Sequence, residues 1–451
     1  MGVIRDKLTR GRKFAELPSV LRKFFFEGSF WEDKRKAALS LPLAFLAFHA
    51  GTQAVNTCRN ILSDLHPNEL QRYFKEEYGV SLYGTRQGLE AFQRGEFPLS
   101  SRLIEVLEQE SRNPNFTLRS ITIEPTTYTD KSIVQQFAEL FADDYVGYAW
   151  PRHIVLKPLA QQDTMFHEVK HVESFSIMRQ HPEFLERWLA LARDEDGNSL
   201  YKHPPLVNIL YNLKFITEEE TLLSSEELRR KGFISDYART TVLEDMAELG
   251  GEVAKRQTDF RLFAEALTTN NWPRLKGKLL LAAEYGLIPE EFPAFINVYK
   301  LHKSAWTCSF RSCWLDQENL HQFMETAEAF LNKYPDSIYA PNVRNLRAGI
   351  NVERARGEER WHGAGEGFSP FFVAAEADSF AVLNNPGVDV GNFSQALSNL
   401  SELFRHHGFL ERWEFYRIAE KKLLDACKNG VRDPVGAIRQ YLVDHGAAQP
   451  Q

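Results

Sequence analysis

Five residues constrain this chain more than any others: His167-Glu168-Val169-Lys170-His171, an H-E-x-x-H motif preceded by Met165-Phe166. In an α-helix, residues four apart lie on one face, one turn above the other. Two imidazoles so placed can grip one zinc ion at about 2.0–2.1 Å per bond. The glutamate between them can then reach a water on the metal and act as general base. A second account needs no metal: an ordinary amphipathic helix with two surface histidines. The flanks fit the first account. His153-Ile154-Val155-Leu156-Lys157 reads as a strand that Pro158 ends. The polar stretch Gln161-Gln162-Asp163-Thr164 supplies cap residues for the motif helix. At the edge of a sheet, that strand can pair with an extended substrate through main-chain hydrogen bonds.

Catalytic zinc sites keep three protein ligands and one open position, so a third ligand is required. The expected source is the segment from Ser235 to Glu248. Glu244 and Glu248 are one turn apart on a predicted helix, and Ala247 and Gly251 share their face. Small residues there let this helix approach the histidine helix closely. Glu244 is then the ligand, and Glu248 accepts a hydrogen bond from a ligand imidazole. Thr241-x-x-Glu244 is equally a capping box. Acidic residues favour first helical turns for dipole reasons. That account explains Glu244 with no metal at all.

The string Tyr237-x-x-Thr240-x-x-x-Glu244-x-x-Ala247-Glu248, downstream of H-E-x-x-H, resembles the catalytic domain of anthrax lethal factor and related bacterial zinc metallopeptidases. The resemblance implies a zincin-like domain in which His167, His171 and Glu244 hold Zn2+. It makes Glu168 the general base and Tyr237 the residue whose hydroxyl stabilises the oxyanion. It covers roughly Ser120 to Gly251 and is specific at the two motifs. This chain departs from the family in the spacing between them, which is lengthened by a mostly helical insert between Arg179 and Gly232.

At 451 residues the chain is too long for one simple core. Apolar content of 43% and charged content of 25% are those of a soluble globular protein. A net charge of −7 and no long basic tract argue against nucleic acid as a partner. The 33 Phe, 15 Tyr and 8 Trp fit aromatic-filled helical cores. None of Cys58, Cys308, Cys313 and Cys427 sits in a C-x-x-C zinc spacing. Cys308 and Cys313 either bridge across a turn in an oxidising compartment or remain two structural thiols.

Lys34-Arg35-Lys36, the apolar stretch Ala37 to Ala50 and the small-residue site Thr52-Gln53-Ala54 follow the order of a secretory signal. Against this, more than thirty residues precede the charges, and Pro42 and His49 interrupt the apolar run. Fourteen residues are also too few to span a bilayer. Exported and cytoplasmic locations both stay open. No other segment approaches transmembrane length, so no integral membrane span is expected.

Three regions follow: a lead over 1–55, a zincin-like catalytic domain over 56–255, and a helical C-terminal domain over 256–451. Before the motif, helices are predicted over Asn68–Tyr78, Leu89–Arg94, from Pro98 to Glu110, and over Ile133–Phe141. A strand or loop is expected at 79–84 and a strand at Arg119–Glu124. In the insert, Pro182 starts a helix, Asp194 to Asn198 is a turn, and Glu218-Glu219-Glu220 is a solvated face. His203, beside Pro204-Pro205, reads as a loop residue and a poor rival ligand.

Beyond Arg256 the pattern looks wholly helical, with apolar segments at 258–268, 274–286, 290–301, 318–334, 338–353, 394–408, 410–429 and 433–445. Tyr334-Pro335-Asp336-Ser337 resembles the inter-helix turn of tetratricopeptide-like repeats, although one unit is visible where a solenoid needs about three. Gly357 to Gly367 reads as a loop between helical subdomains.

The expected fold class is α+β, predominantly helical: a zincin-like metallopeptidase domain followed by an all-helical C-terminal domain with a tetratricopeptide-like turn. The expected function is zinc-dependent hydrolysis of a peptide or protein substrate, with a protein partner for the helical domain. Two alternatives stand beside it. One is a non-catalytic helical interaction protein with a structural or vestigial zinc site. The other is a zinc hydrolase of a non-peptide amide.

Overall fold

A computed structural model of the chain describes residues 67–84, 86–95, 99–123, 147–157, 160–202, 223–255, 260–308, 313–362, 369–429, 431 and 433–445. The 1–55 lead with its signal-like stretch, Cys58, the helix expected at 133–141, His203 and Glu218–Glu220 lie outside the described residues. The chain divides into two compact units, Met1–Lys255 and Arg256–Gln451. It is predominantly helical. Among the described residues, no helix is long and apolar enough to cross a membrane.

The first unit opens with helix α1 (Glu69–Tyr78). Asn68 and Gln71 form a reciprocal capping box at its start, and Gly79 ends it at a φ of 68°. Strand β1 (Ser81–Gly84), helices α2 (Arg86–Gln93) and α3 (Leu99–Glu110), and strands β2 (Ser120–Ile123), β3 (Gly147–Trp150) and β4 (His153–Leu156) follow. The sheet order is β1-β2-β4-β3. The first three are parallel, and β3 runs antiparallel to β4 with Trp150 opposite His153.

This corrects one expectation. The 153–157 segment is not the edge of the sheet; it lies between β2 and β3. Pro151 and Arg152 turn the chain so that Gly147–Trp150 folds back along it and takes the edge.

The motif helix α4 (Gln162–Gln180) crosses this sheet. Met165, Phe166, Val169 and Val172 join a core with Ile121, Ile123, Ile154 and Leu156 of the strands and Leu103, Val106 and Leu107 of α3. The expected cap is absent: Gln161 occupies the N-cap position without a side-chain bond to the helix. The helix is set by burial on nearly all sides instead.

One turn along from His167, the fully buried Lys170 ammonium sits 2.6 Å from Glu110 and 2.7 Å from Glu173. Burial opposes the lysine's charge, but the two carboxylates outweigh it and raise its pKa above the ordinary value. Burial also pushes Glu173 well up, against the attraction of Lys170. Asn113 donates a further hydrogen bond to Glu173, at 3.0 Å.

The insert contributes α5 (Pro182–Leu191), which starts on Pro182, and α6 (Ser225–Arg230). A turn follows α5, with Gly197 at a φ of 83°. Ala192, Leu228, Phe233 and Ala238 form a small core of their own. Helix α7 (Val242–Ala254) then packs along α4. The approach is close. A Cβ added at Gly250 would lie 3.0 Å from the Lys170 side chain, and one at Gly251 would lie 3.4 Å from the His167 backbone nitrogen.

His153 gives this unit an acid sensitivity. Its Nδ1 lies 2.7 Å from Ser120 Oγ, and its Nε2 3.4 Å from Thr122 Oγ1. Burial holds its pKa down at about 4, partly offset by the hydrogen bond at Ser120. From pH 6.5 downward the unfolded chain takes up a proton that the folded chain refuses. Stability is therefore full above pH 6.5 and is lost as pH falls towards 4. The expected loss is up to about 3 kcal/mol. Denaturant midpoints for His153→Gln should vary less over that interval than those of the wild type. Identical profiles would acquit this residue.

The second unit contains α8 (Arg261–Thr268), α9 (Pro273–Glu284), α10 (Phe292–Ala305), α11 (Gln317–Lys333), α12 (Ala340–His362), α13 (Pro370–Leu383), α14 (Val390–His406), α15 (Leu410–Lys428) and α16 (Pro434–Asp444). It is not all-helical. Strands β5 (Trp306–Cys308) and β6 (Cys313–Leu315) form a hairpin whose register sets Cys308 opposite Cys313. Nor is Gly357 a loop residue, because α12 runs through it to His362. The turn at Tyr334–Asp336 does join two helices. Helix lengths run from 8 to 23 residues, so they carry no fixed repeat period. Phe372, Phe393, Leu397, Phe404 and Leu423 lie in the core of α12 to α16.

Candidate metal centre

Two helices build the site. From α4, His167 and His171 project one turn apart, their rings edge to face with centroids 4.7 Å apart. From the first turn of α7 comes Glu244, 77 residues away in sequence from His167. The hydroxyl of Thr241 accepts a hydrogen bond from the Glu244 backbone N–H at 3.3 Å, as a helix cap should. The Glu244 carboxylate points to the histidines. Capping and convergence thus coexist, each using a different part of the same residue.

The geometry is tight. His167 Nε2 lies 3.0 Å from Glu244 Oε2 and 3.1 Å from His171 Nε2, and His171 Nε2 lies 3.3 Å from the same Glu244 oxygen. Among the described residues, this is the group of His, Cys, Asp and Glu side chains able to hold a metal ion, its donor atoms all within 4.8 Å of one another. Donors about 2.0–2.1 Å from a tetrahedral ion would be about 3.3 Å apart, so the spacing fits one small cation.

The tautomer fits too. His167 Nδ1 is 3.2 Å from Glu248 Oε1, so its N–H goes to Glu248 and Nε2 faces the cluster. Two imidazoles and a carboxylate on one point need positive charge between them. In the bare chain a proton on His167 supplies it. Burial works against that charge, but the hydrogen bonds that the ring donates to Glu244 and Glu248 and the charge of Glu168 lift the pKa to about 10. Burial would raise Glu244, yet His171 and His167 hold it well below the carboxylate range. Glu248 is likewise lowered, its burial outweighed by His167 and Ser235.

Glu168 and Tyr237 flank the cluster. Glu168 is buried, and burial pushes its pKa up despite the charges of His171 and His167. It lies against β3: a Cβ at Gly147 would be 3.1 Å from Glu168 Cγ, so the glycine leaves room for the carboxylate. Tyr237 is 51% exposed, with its ring centroid 5.8 Å from that of His167. Desolvation and the nearby Glu244 carboxylate raise the phenol far above its ordinary pKa. A cleft of about 460 Å³ opens beside them, with His167, Glu168, Tyr237, Glu248 and Gly251 in its walls. His167, Glu168, His171, Tyr237, Glu244 and Glu248 are thus brought to one place.

Several residues of the site escaped sequence reasoning. Ser235 donates a hydrogen bond to Glu248 at 2.8 Å. Asp245, next to Glu244, accepts bonds from Trp188 Nε1 at 2.8 Å and the Tyr201 hydroxyl at 2.7 Å. The insert therefore braces α7 from behind. Lys202 pairs with Asp236 beside the tyrosine. No spacing rule joins Asp245 to partners 57 and 44 residues away. Ser235 had only its nearness to Tyr237 to mark it.

The chain was compared with protein families, with curated proteins and with solved structures, and nothing matched.

Proposed function

We propose that this chain is a zinc-dependent metallopeptidase with a zincin-like catalytic unit. One observation carries the reading: three donor atoms from two distant motifs converge within 4.8 Å, and a glutamate and a tyrosine flank them at a cleft. The donor set of two imidazoles and one carboxylate is that of known catalytic zinc sites. A purely structural site would need neither Glu168 nor Tyr237 in the cleft wall.

His167, His171 and Glu244 would hold the ion. When bound, zinc supplies Lewis-acid chemistry, acidifying water and polarising a carbonyl. Glu168 takes a proton from the attacking water as its oxygen bonds to the carbonyl carbon. It then passes that proton to the leaving amine as the C–N bond breaks. The Tyr237 hydroxyl turns from Glu244 and donates a hydrogen bond to the oxyanion. Glu248 keeps the His167 ring in its working tautomer. Strand β3, at the edge of the described sheet and beside Glu168, offers its backbone to an extended peptide.

The test is direct. The purified full-length chain should carry one zinc per molecule by elemental mass spectrometry and should cleave an unstructured protein such as casein. A chelator should stop cleavage and added zinc should restore it. Zinc-loaded protein that cleaves no peptide but releases amine from a non-peptide amide would move the substrate class. A chain that takes up no zinc would end the proposal.

A further inference from the structure

We propose that Ser235 is a positioning residue that latches the Tyr237 loop to the metal-ligand network, so that placement of the tyrosine and binding of the metal are coupled. The inference rests on the zinc-peptidase reading.

A serine hydroxyl has one proton to give and lone pairs to receive. Ser235 uses both. Its Oγ donates to Glu248 Oε2 at 2.8 Å and accepts the Ala238 backbone N–H at 3.0 Å. Glu248 divides its oxygens, Oε2 to Ser235 and Oε1 to His167 Nδ1 at 3.2 Å. A continuous path therefore runs from the backbone after Tyr237, through Ser235 and Glu248, to a ligand imidazole.

The loop around the tyrosine depends on such ties. Tyr237 is half exposed, so packing alone does not fix it. Its neighbour Ala238 is fully buried, and its own carbonyl accepts from Thr240 N–H at 2.9 Å. The backbone thus decides where the phenol goes, and Ser235 holds that backbone against α7. The same hydroxyl orients the carboxylate that sets the His167 ring. Whatever favours one end of the path favours the other, because coupling between binding events is reciprocal.

The experiment uses the full-length chain and zinc ion alone. Affinity is read by competition with a chromophoric chelator, and amide hydrogen exchange is followed over residues 232–241. The wild type should bind zinc and slow exchange at Ala238 when it does. Ser235→Ala should weaken zinc binding about 10- to 100-fold and lose that slowing, and Ser235→Thr, which keeps a hydroxyl, should recover most of both. In peptide hydrolysis, Ser235→Ala should lower turnover in the wild-type background and add little to Tyr237→Phe. A general structural lesion would instead add fully.

A wild type that binds no zinc would sink the peptidase reading itself. A wild type that binds zinc, beside a Ser235→Ala chain of equal affinity and equal exchange, would sink the latch alone. If Ser235→Ala does not fold, wild-type exchange decides: no change at Ala238 on adding zinc overturns the coupling.

Discussion

Glu168→Gln should leave a chain that binds zinc as tightly as before and hydrolyses peptide about 100- to 10,000-fold more slowly. The substitution keeps shape and removes only the capacity to take a proton. Glu168 is not among the three converging donors, so metal content should not move. The folded chain should not suffer either. Burial already disfavours a charged carboxylate at this position, and a neutral amide relieves that pressure. Zinc titration, thermal melting and peptide turnover on the same preparation would read all three. A glutamine variant with more than a tenth of the wild-type rate would exclude Glu168 as the base.

Removal of a ligand should have the opposite signature. His167→Ala, His171→Ala and Glu244→Ala should each drop zinc from one per chain to background at micromolar free zinc, and hydrolysis with it. Glu244→Ala carries a further cost in the metal-free chain. It strips the carboxylate from two imidazoles at 3.0 and 3.3 Å and leaves the His167 ring with Glu248 as its remaining carboxylate partner, so the metal-free chain should melt at a lower temperature than the wild type. Thr241→Ala separates the two roles of this helix start. It deletes the cap bond, at about 1 kcal/mol, and should leave zinc content intact. If Thr241→Ala lost zinc as fully as Glu244→Ala does, the capping account would be enough.

The parts legible in the sequence are those whose geometry is local. Residues four apart on a helix must share a face, which brought His167 and His171 together before any fold was known. Glu244 and Glu248 were read in the same way, as was α15, expected over 410–429 and found at Leu410–Lys428. What escaped has physical causes. Strand β3 has four residues and the strands of the β5–β6 hairpin have three, too short for an alternation to show. Helix α13 was missed because Phe372, Ala375, Phe380, Val382 and Leu383 are buried on several sides of it, which erases the one-sided stripe that marks an amphipathic helix. Gly357 suggested a break, but a glycine inside a long helix costs only about 1 kcal/mol relative to alanine. Ser235 and Asp245 act across the tertiary structure, where spacing says nothing.

Lys170 gives the motif helix a fixed azimuth. Rolling α4 about its long axis would carry the buried Lys170–Glu173 pair away from Glu110 on α3, so the pair of imidazoles is hard to re-aim from their own side. The same holds for α7, whose buried Asp245 is gripped by Trp188 and Tyr201, so divergence of this site through mutation should begin in the side chains of the cleft wall and not in a turn of either helix.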